Sequence, residues 1–373
     1  MASTEAAAGR VRHSWLHRHD GDDISYAHMA MLEAFTAPGG EALLAGAFQA
    51  SGAGCEGAEA QHLRFCLSRD GGESWEPSVA LMWGLQALWS PVLHFHEATQ
   101  RLYLFYSESR KARTPGGDIK HIYTLDCGKT WSAPTTILTH EESGEVPKVL
   151  ANKLLVLDGG TPMERWVLPF WREPFNSFLE YPAYHPMKDS PPMLEHPPPP
   201  GALVPQSKRN SAGVLLLDNP GSDASRWWVA GDIHDPSTWL IENTLERLSN
   251  GHLLMLFRSG TGAMWQSVST DRGESWRPAV PAPLPNPNSK FSMCRAGDTL
   301  VVCYNHSSER RAPLDIATSK DDGASWQHRL SPEPDPDGHF AYPTVIHAGS
   351  GQLLAAYSFW GEGIRVARFQ LSS

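Results

Sequence analysis

Ser269-Thr270-Asp271-Arg272-Gly273-Glu274-Ser275-Trp276 is one of four copies of a single pattern, Ser/Thr-x-Asp-x-Gly-x-Ser/Thr-Trp. The other copies are Ser68 to Trp75, Thr124 to Trp131 and Ser319 to Trp326. A strand-like run precedes each one: LRFCL, KHIY, MWQSV and LDIA. The residue types describe a β-hairpin turn. Asp bonds backbone N–H groups inside the turn, Gly supplies the positive φ, and the hydroxyls tie the turn to itself. Trp then folds back to fill space between neighbouring sheets. These Asp residues are therefore read as turn staples rather than catalytic acids.

The first two copies, and the last two, are separated by about 50 residues, the length of a four-stranded antiparallel blade with its loops. Between Trp131 and Ser269 the pattern vanishes while strand-like runs persist: LLVL (154–157), RWVLPFW (165–171), GVLLLD (213–218) and RWWVAG (226–231). The piece LLLDNPGSDASRWW reads as a degenerate copy around Asp218. The expectation is an all-β, six-bladed β-propeller filling residues 1–373 as one domain. A Pro-rich stretch at about 174–209 interrupts it and reads as a loop or lid.

Composition agrees. Hydrophobic residues make up 41% of the 373 residues, enough for a large core, and no long stretch has helical periodicity. Gly (32) and Pro (30) suit many short strands and tight turns, and 14 Trp suit a repeated structural Trp or sugar stacking. The formal net charge of -10 argues against nucleic acid or an anionic membrane surface as partner. The five Cys have no metal-ligand spacing and read as reduced thiols. No HxH or HExxH pairing, no phosphate-binding Gly loop and no dinucleotide fingerprint occurs, so neither metal nor cofactor is expected. The N-terminus has no apolar signal region and no run of about 18 apolar residues exists, so no membrane span and an intracellular, cytoplasmic location are the default expectations.

The four copies resemble the Asp boxes, or BNR repeats, of the sialidase (neuraminidase) superfamily. The likeness extends through IENTLERLSNGHLLMLFRSG, PLPNPNSKFSM and FAYPTVIHAGSGQLLAAYSFW, in the order typical of the BNR-like branch of bacteria, plants and algae. It implies a six-bladed propeller with its site on the central axis. Sialidases clamp the substrate carboxylate with Arg residues and use a Tyr nucleophile activated by Glu, with an Asp as acid/base. On that resemblance Glu242 stands for the activating Glu, Tyr342 for the nucleophile and Arg258 for one clamp residue. Either Arg310 or Arg311 is expected near the axis, the alternative being a strand cap, and Arg311 is taken as the substrate-binding candidate. Two family features are absent: His28 stands where the first clamp Arg is expected, and the next loop carries Glu56 and Glu59 but no Asp.

Further polar residues fall at strand ends, where substrate contacts are expected: Lys148, Asn152 and Lys153; Arg172 in Trp171-Arg172-Glu173; Asn288 in a Pro-rich turn; Asn305 and His306; and Trp360 as a pocket wall. Trp-Arg-Glu is read as stacking a ring and gripping a carboxylate. Three functions compete. The first is an exo-glycosidase acting on an acidic sugar, with Tyr342 and Glu242 as catalytic pair and an Arg/Lys clamp. The second is a propeller polysaccharide lyase, in which His28 and Tyr342 act on a uronate. The third is a non-catalytic glycan- or protein-binding propeller. A Glu242–Tyr342 separation beyond hydrogen-bond reach, about 3.2 Å, counts against the first.

Overall fold

Runs such as Arg165–Arg172 are buried along their whole length because neighbouring blades cover both faces, whereas outer strands such as Asp118–Thr124 mix buried with part-exposed residues. The computed structural model describes residues 11–21, 23–58, 60–81, 86–110, 115–174 and 210–371. Apart from Pro174, the Pro-rich stretch lies outside the described residues.

Six antiparallel sheets follow one another along the chain. Blade 1 is Tyr26–Thr36, Ala42–Ser51, His62–Ser68 and Val79–Leu81; blade 2 is Leu88–His96, Arg101–Glu108, Asp118–Thr124 and Thr135–Leu138. In blade 3 the first strand is split into Lys148–Leu150 and Leu155–Leu157, followed by Arg165–Arg172, Ser211–Asp218 and Trp228–Ile233. Blade 4 is Ile241–Arg247, Leu253–Arg258, Ala263–Ser269 and Val280–Pro285; blade 5 is Ser292–Ala296, Thr299–Asn305, Leu314–Ser319 and Gln327–Glu333. Blade 6 takes Phe340–His347, Gln352–Phe359 and Gly363–Gln370 from the C-terminal end. Its outermost strand, Arg12–Arg18, comes from the N-terminal end and pairs with Gly363–Gln370, closing the ring and removing a free edge. First strands of successive blades touch one another around the axis.

Every repeat turn joins the third strand of a blade to its fourth. In the second, Asp126 accepts from Thr130 N (2.9 Å), Thr130 Oγ1 (2.7 Å) and Thr124 Oγ1 (2.8 Å), while Gly128 takes φ 89°. Those bonds to the charged form, led by Thr130, hold its carboxyl down to about 2. Asp70, Asp271 and Asp321 repeat the arrangement. The Trp ending each turn packs back on the preceding blade: Trp131 meets Phe65 edge-on at 5.2 Å, and Trp276 lies against the blade 3–blade 4 core. The stretch after Asp218 occupies the same third-to-fourth position in blade 3. Asp218 itself does not staple that turn. Its carboxylate pairs with Arg165 at 2.5 and 2.8 Å, so the likeness to the repeat is positional only.

Candidate active site

Four first strands carry the same irregularity near the start. Their pairing registers slip at His28/Met31, Trp89/Val92, Ile241/Thr244 and Ala341/Thr344. At each slip a non-glycine residue takes a left-handed backbone: Met29 (φ 56°), Ser90 (φ 51°), Glu242 (φ 50°) and Tyr342 (φ 58°). Such bulges re-aim a side chain at a cost that the surroundings must offset. All four residues line one axial cavity of about 530 Å³.

Three of these four bulges are held by a buried polar side chain from the blade before, or from the segment leading into it. Ser90 N donates to Gln49 Oε1 at 3.0 Å. Asn152 Nδ2 donates to the carbonyls of Glu242 (3.0 Å) and Asn243 (3.3 Å). Lys290 Nζ donates to the Pro343 carbonyl at 2.7 Å and to Thr344 Oγ1 at 3.1 Å. The fourth follows suit: Thr344 Oγ1 donates to the Ala30 carbonyl, beside Met29, at 2.8 Å. Burial pulls the Lys290 ammonium down to about 7.

At the centre of the cavity, Arg258 Nη1 donates to both oxygens of Glu242 (2.9 Å each) and to Tyr342 Oη (2.5 Å), while its Nε donates to Asn288 Oδ1 at 2.7 Å. Among the described residues no hydrogen bond joins Tyr342 to Glu242 directly, which counts against the first of the three expected functions; the guanidinium stands between them, bonded to both. Burial pushes the Tyr342 phenol above its ordinary value, with Arg258 opposing. Arg311 lies over the Tyr342 ring at 5.3 Å and donates to the Asn288 carbonyl at 3.2 Å. The His28 ring centroid is 4.2 Å from that of Tyr342, and its Nδ1 is 2.7 Å from Ser358 Oγ. Burial, then Arg311 and Lys290, drive the His28 pKa well down, so this position offers no positive charge in place of the expected Arg.

The structure also lines the cavity with Glu56, Glu173, Tyr26, Trp89 and Trp239, to which the sequence reading gave no role, beside the expected Trp171 and Trp360. Glu56 faces the cavity, accepts from Gln49 Nε2 at 2.8 Å, and is pushed up by burial. Glu173 accepts from Trp171 Nε1 at 2.7 Å, and burial pushes it up to about 7. Trp89, Trp171, Trp239 and Tyr26 supply aromatic walls, and Trp360, 54% exposed, stands at the rim stacked on His339 at 5.0 Å. The signal for Trp89 and Ser90 lay in LWSP. A polar residue breaking an apolar run at the start of a first strand matches the positions of Glu242 and Tyr342.

Several expected substrate contacts lie elsewhere. Lys148 Nζ is turned onto the carbonyls of Thr139 (3.0 Å), His140 (2.7 Å) and Glu142, where it caps a loop. Arg172 bonds Ser143 and Ser211, on the opposite face of its strand from Trp171 and Glu173. The reading of Trp-Arg-Glu as a carboxylate grip is corrected accordingly: the Trp and the Glu reach the cavity and the Arg does not. Asn152 and Asn288 are buried behind Glu242 and Arg258 rather than on the cavity surface. Lys153 pairs with Glu246 at 2.5 Å. Asn305 Nδ2 holds the carbonyls of Phe340 (2.9 Å) and Pro313 (3.3 Å). His306 sits with Asp315 (3.1 Å) and is not a cavity residue. Among the described residues no three His, Cys, Asp or Glu are grouped to hold a metal ion, and no helix is long and apolar enough to cross a membrane.

The BNR repeat-like domain matches residues 41–354. A search of curated proteins returned no match. Among solved structures, a protein of unknown function from Dyadobacter fermentans DSM 18053 superposes with TM-score 0.69 at 14% identity, covering 97% of this chain and 99% of that one. The Hadza microbial sialidase Hz136 gives TM-score 0.70 at 15% identity, over 92% of this chain and 66% of that one. The intramolecular trans-sialidase from Ruminococcus gnavus, in complex with oseltamivir carboxylate, gives TM-score 0.65 at 13% identity, over 92% and 94%. At these identities the likeness is one of fold.

Proposed function

The chain belongs to the BNR repeat-like domain family, and on that premise we propose that it is a glycan-active enzyme, an exo-glycosidase that removes a terminal acidic sugar. The observation that carries this reading is the convergence of Tyr342 and Glu242 on one nitrogen of Arg258, at the floor of an aromatic-walled axial cavity.

In this reading Tyr342 Oη attacks the anomeric carbon and its proton passes to Glu242. This transfer requires sugar entry to draw Oη from Arg258 Nη1 toward the carboxylate, to which Oη makes no hydrogen bond in the structure. Glu56, whose burial favours the protonated form, donates to the departing glycosidic oxygen. Water then enters, Glu56 takes its proton, and the sugar–Tyr342 bond breaks with the phenol reprotonated from Glu242. Arg311, with the Nη2 of Arg258, grips the substrate carboxylate. The clamp lacks its first-blade Arg, because His28 stands there and burial keeps it neutral.

The 4.2 Å approach of His28 to Tyr342 favours a second reading, a lyase. There His28 removes the proton alpha to a uronate carboxylate and Tyr342 protonates the leaving oxygen.

A panel of sialosides, uronides and rhamnosides tests both. Release of a reducing sugar without new ultraviolet absorbance supports hydrolysis, and absorbance from an unsaturated uronate supports the lyase. Under the first outcome His28→Gln retains turnover and Tyr342→Phe loses it; under the second both are inactive. If no member of the panel is turned over but one binds, the protein is a binding propeller.

A further inference from the structure

The cavity is chemically two-sided. Blades 4, 5 and 6 bring Arg258, Arg311 and Tyr342, while blades 2 and 3 bring Trp89, Trp171, Glu173 and Asn210. Strand alternation at the end of the Arg165–Arg172 strand sends the Arg172 guanidinium outward to Ser143 and Ser211, leaving Glu173 on the cavity side. Glu173 is itself held in place: its N–H donates to the Pro147 carbonyl at 3.0 Å, and Trp171 Nε1 donates to Oε2 at 2.7 Å. The residue is only 8% exposed, and Oε1 has no partner among the described residues. No Lys, Arg or His among the described residues bonds this carboxyl. Asn210, in the same wall, likewise leaves Oδ1 unpartnered. The free Glu173 oxygen opens on the cavity, where it is placed to accept a hydrogen bond from whatever enters.

We propose that Glu173, braced by Trp171, is a specificity-determining subsite. It accepts a hydrogen bond from a neutral donor, a hydroxyl or amide N–H, on the side of the sugar ring away from the carboxylate. This rests on the carbohydrate reading above and deepens it. The guanidinium side receives the acidic group and the Glu173 side reads the opposite edge, so the ring enters in one orientation. A donor that reaches the free oxygen stabilises the carboxylate form and so opposes the burial that raises this group.

The test is a binding matrix measured by calorimetry on the full chain. The probes are N-acetylneuraminic acid, glucuronic acid and their single-deoxy analogues, each against wild type, Glu173→Ala and Glu173→Gln. The expected result is that Glu173→Ala weakens the preferred acid at least about tenfold, and that one deoxy analogue loses a similar factor against wild type but none against Glu173→Ala. Glu173→Gln, which keeps an acceptor and the shape, stays within a few-fold of wild type. Equal affinities for wild type and both variants, or the same deoxy penalty in all three, overturn the subsite while leaving the carbohydrate reading intact. If wild type binds none of the probes, the carbohydrate reading falls and the subsite with it. Unchanged far-ultraviolet circular dichroism and melting transitions show that a weakened variant is still folded.

Discussion

Arg258 Nη1 lies 2.5 Å from Tyr342 Oη and 2.9 Å from each carboxylate oxygen of Glu242, so a single nitrogen carries both halves of the candidate catalytic pair. This dictates how substitutions there should read out. Tyr342→Phe and Glu242→Ala should each lower turnover by roughly a thousandfold, in line with loss of a nucleophile or its base. Arg258→Lys keeps the charge but not the planar fork that also reaches Asn288, and turnover should fall about a hundredfold with the fold retained. Arg258→Met differs, because it leaves Glu242 buried without its cation, and chemical denaturation should show a loss of about 3–5 kcal/mol. Full activity in Tyr342→Phe or Glu242→Ala would remove the pair from the mechanism.

Lys290 touches no cavity surface, yet its ammonium holds the carbonyl next to Tyr342. Lys290→Met should lower kcat about ten- to a hundredfold with KM little changed, because the phenol is misplaced rather than the sugar pocket lost. Thr344→Val removes the second acceptor and the link to Ala30, and should give a smaller loss of the same kind; Thr344→Ser should restore it. A rise in KM at constant kcat would show that Lys290 shapes binding instead.

Glu173 supplies a pH test of the cavity that needs no substrate. Its carboxyl is raised by burial from 4.5 to about 7, so the folded chain holds a proton that the unfolded chain has released. The native state therefore binds more protons between about pH 4.5 and 7, and stability contributed by this group is lost as pH rises through that window. Glu173→Gln stays neutral throughout. Its unfolding free energy should gain on wild type from pH 5 to pH 7, by on the order of 2 kcal/mol. A gap between the two proteins that does not change with pH would show that the carboxyl is already ionised at pH 5.

Asp126 is the opposite case, a half-buried turn acid whose bonds to Thr130 hold it down to about 2. Asp126→Ala should lower the melting temperature by about 2–4 °C and leave turnover unchanged. The wild-type advantage is present above about pH 4 and disappears as pH falls through 2, because protonation removes the acceptor charge. Loss of activity without loss of stability would contradict the staple role.

The depth to which the sequence could be read differs between scaffold and site. The Ser/Thr-x-Asp-x-Gly-x-Ser/Thr-Trp turns are local: each hydrogen bond of the staple closes within eight consecutive residues, so the pattern carries its own geometry. The count of blades and the strand runs of blade 3 followed from the same local signals. Asp218 shows the limit, since the turn position was visible but the pull of Arg165 across the sheet was not.

At the site, Glu242, Arg258, Tyr342, Arg311, His28 and Trp360 were legible as candidates, and the fold brings all six to one cavity. Lys148, Arg172, Asn305 and His306 were equally polar and equally placed at strand ends, but a strand sends alternate side chains to opposite faces, and a single bulge moves the phase by one residue. Glu56 and Glu173 were the converse, ordinary acids in sequence whose importance comes from burial among residues far along the chain. Local turn chemistry thus determined the propeller from sequence alone. The identity of the cavity's walls was decided by the ring, because it places six chain-distant strand ends around one axis and sets each bulge against a side chain of a neighbouring blade.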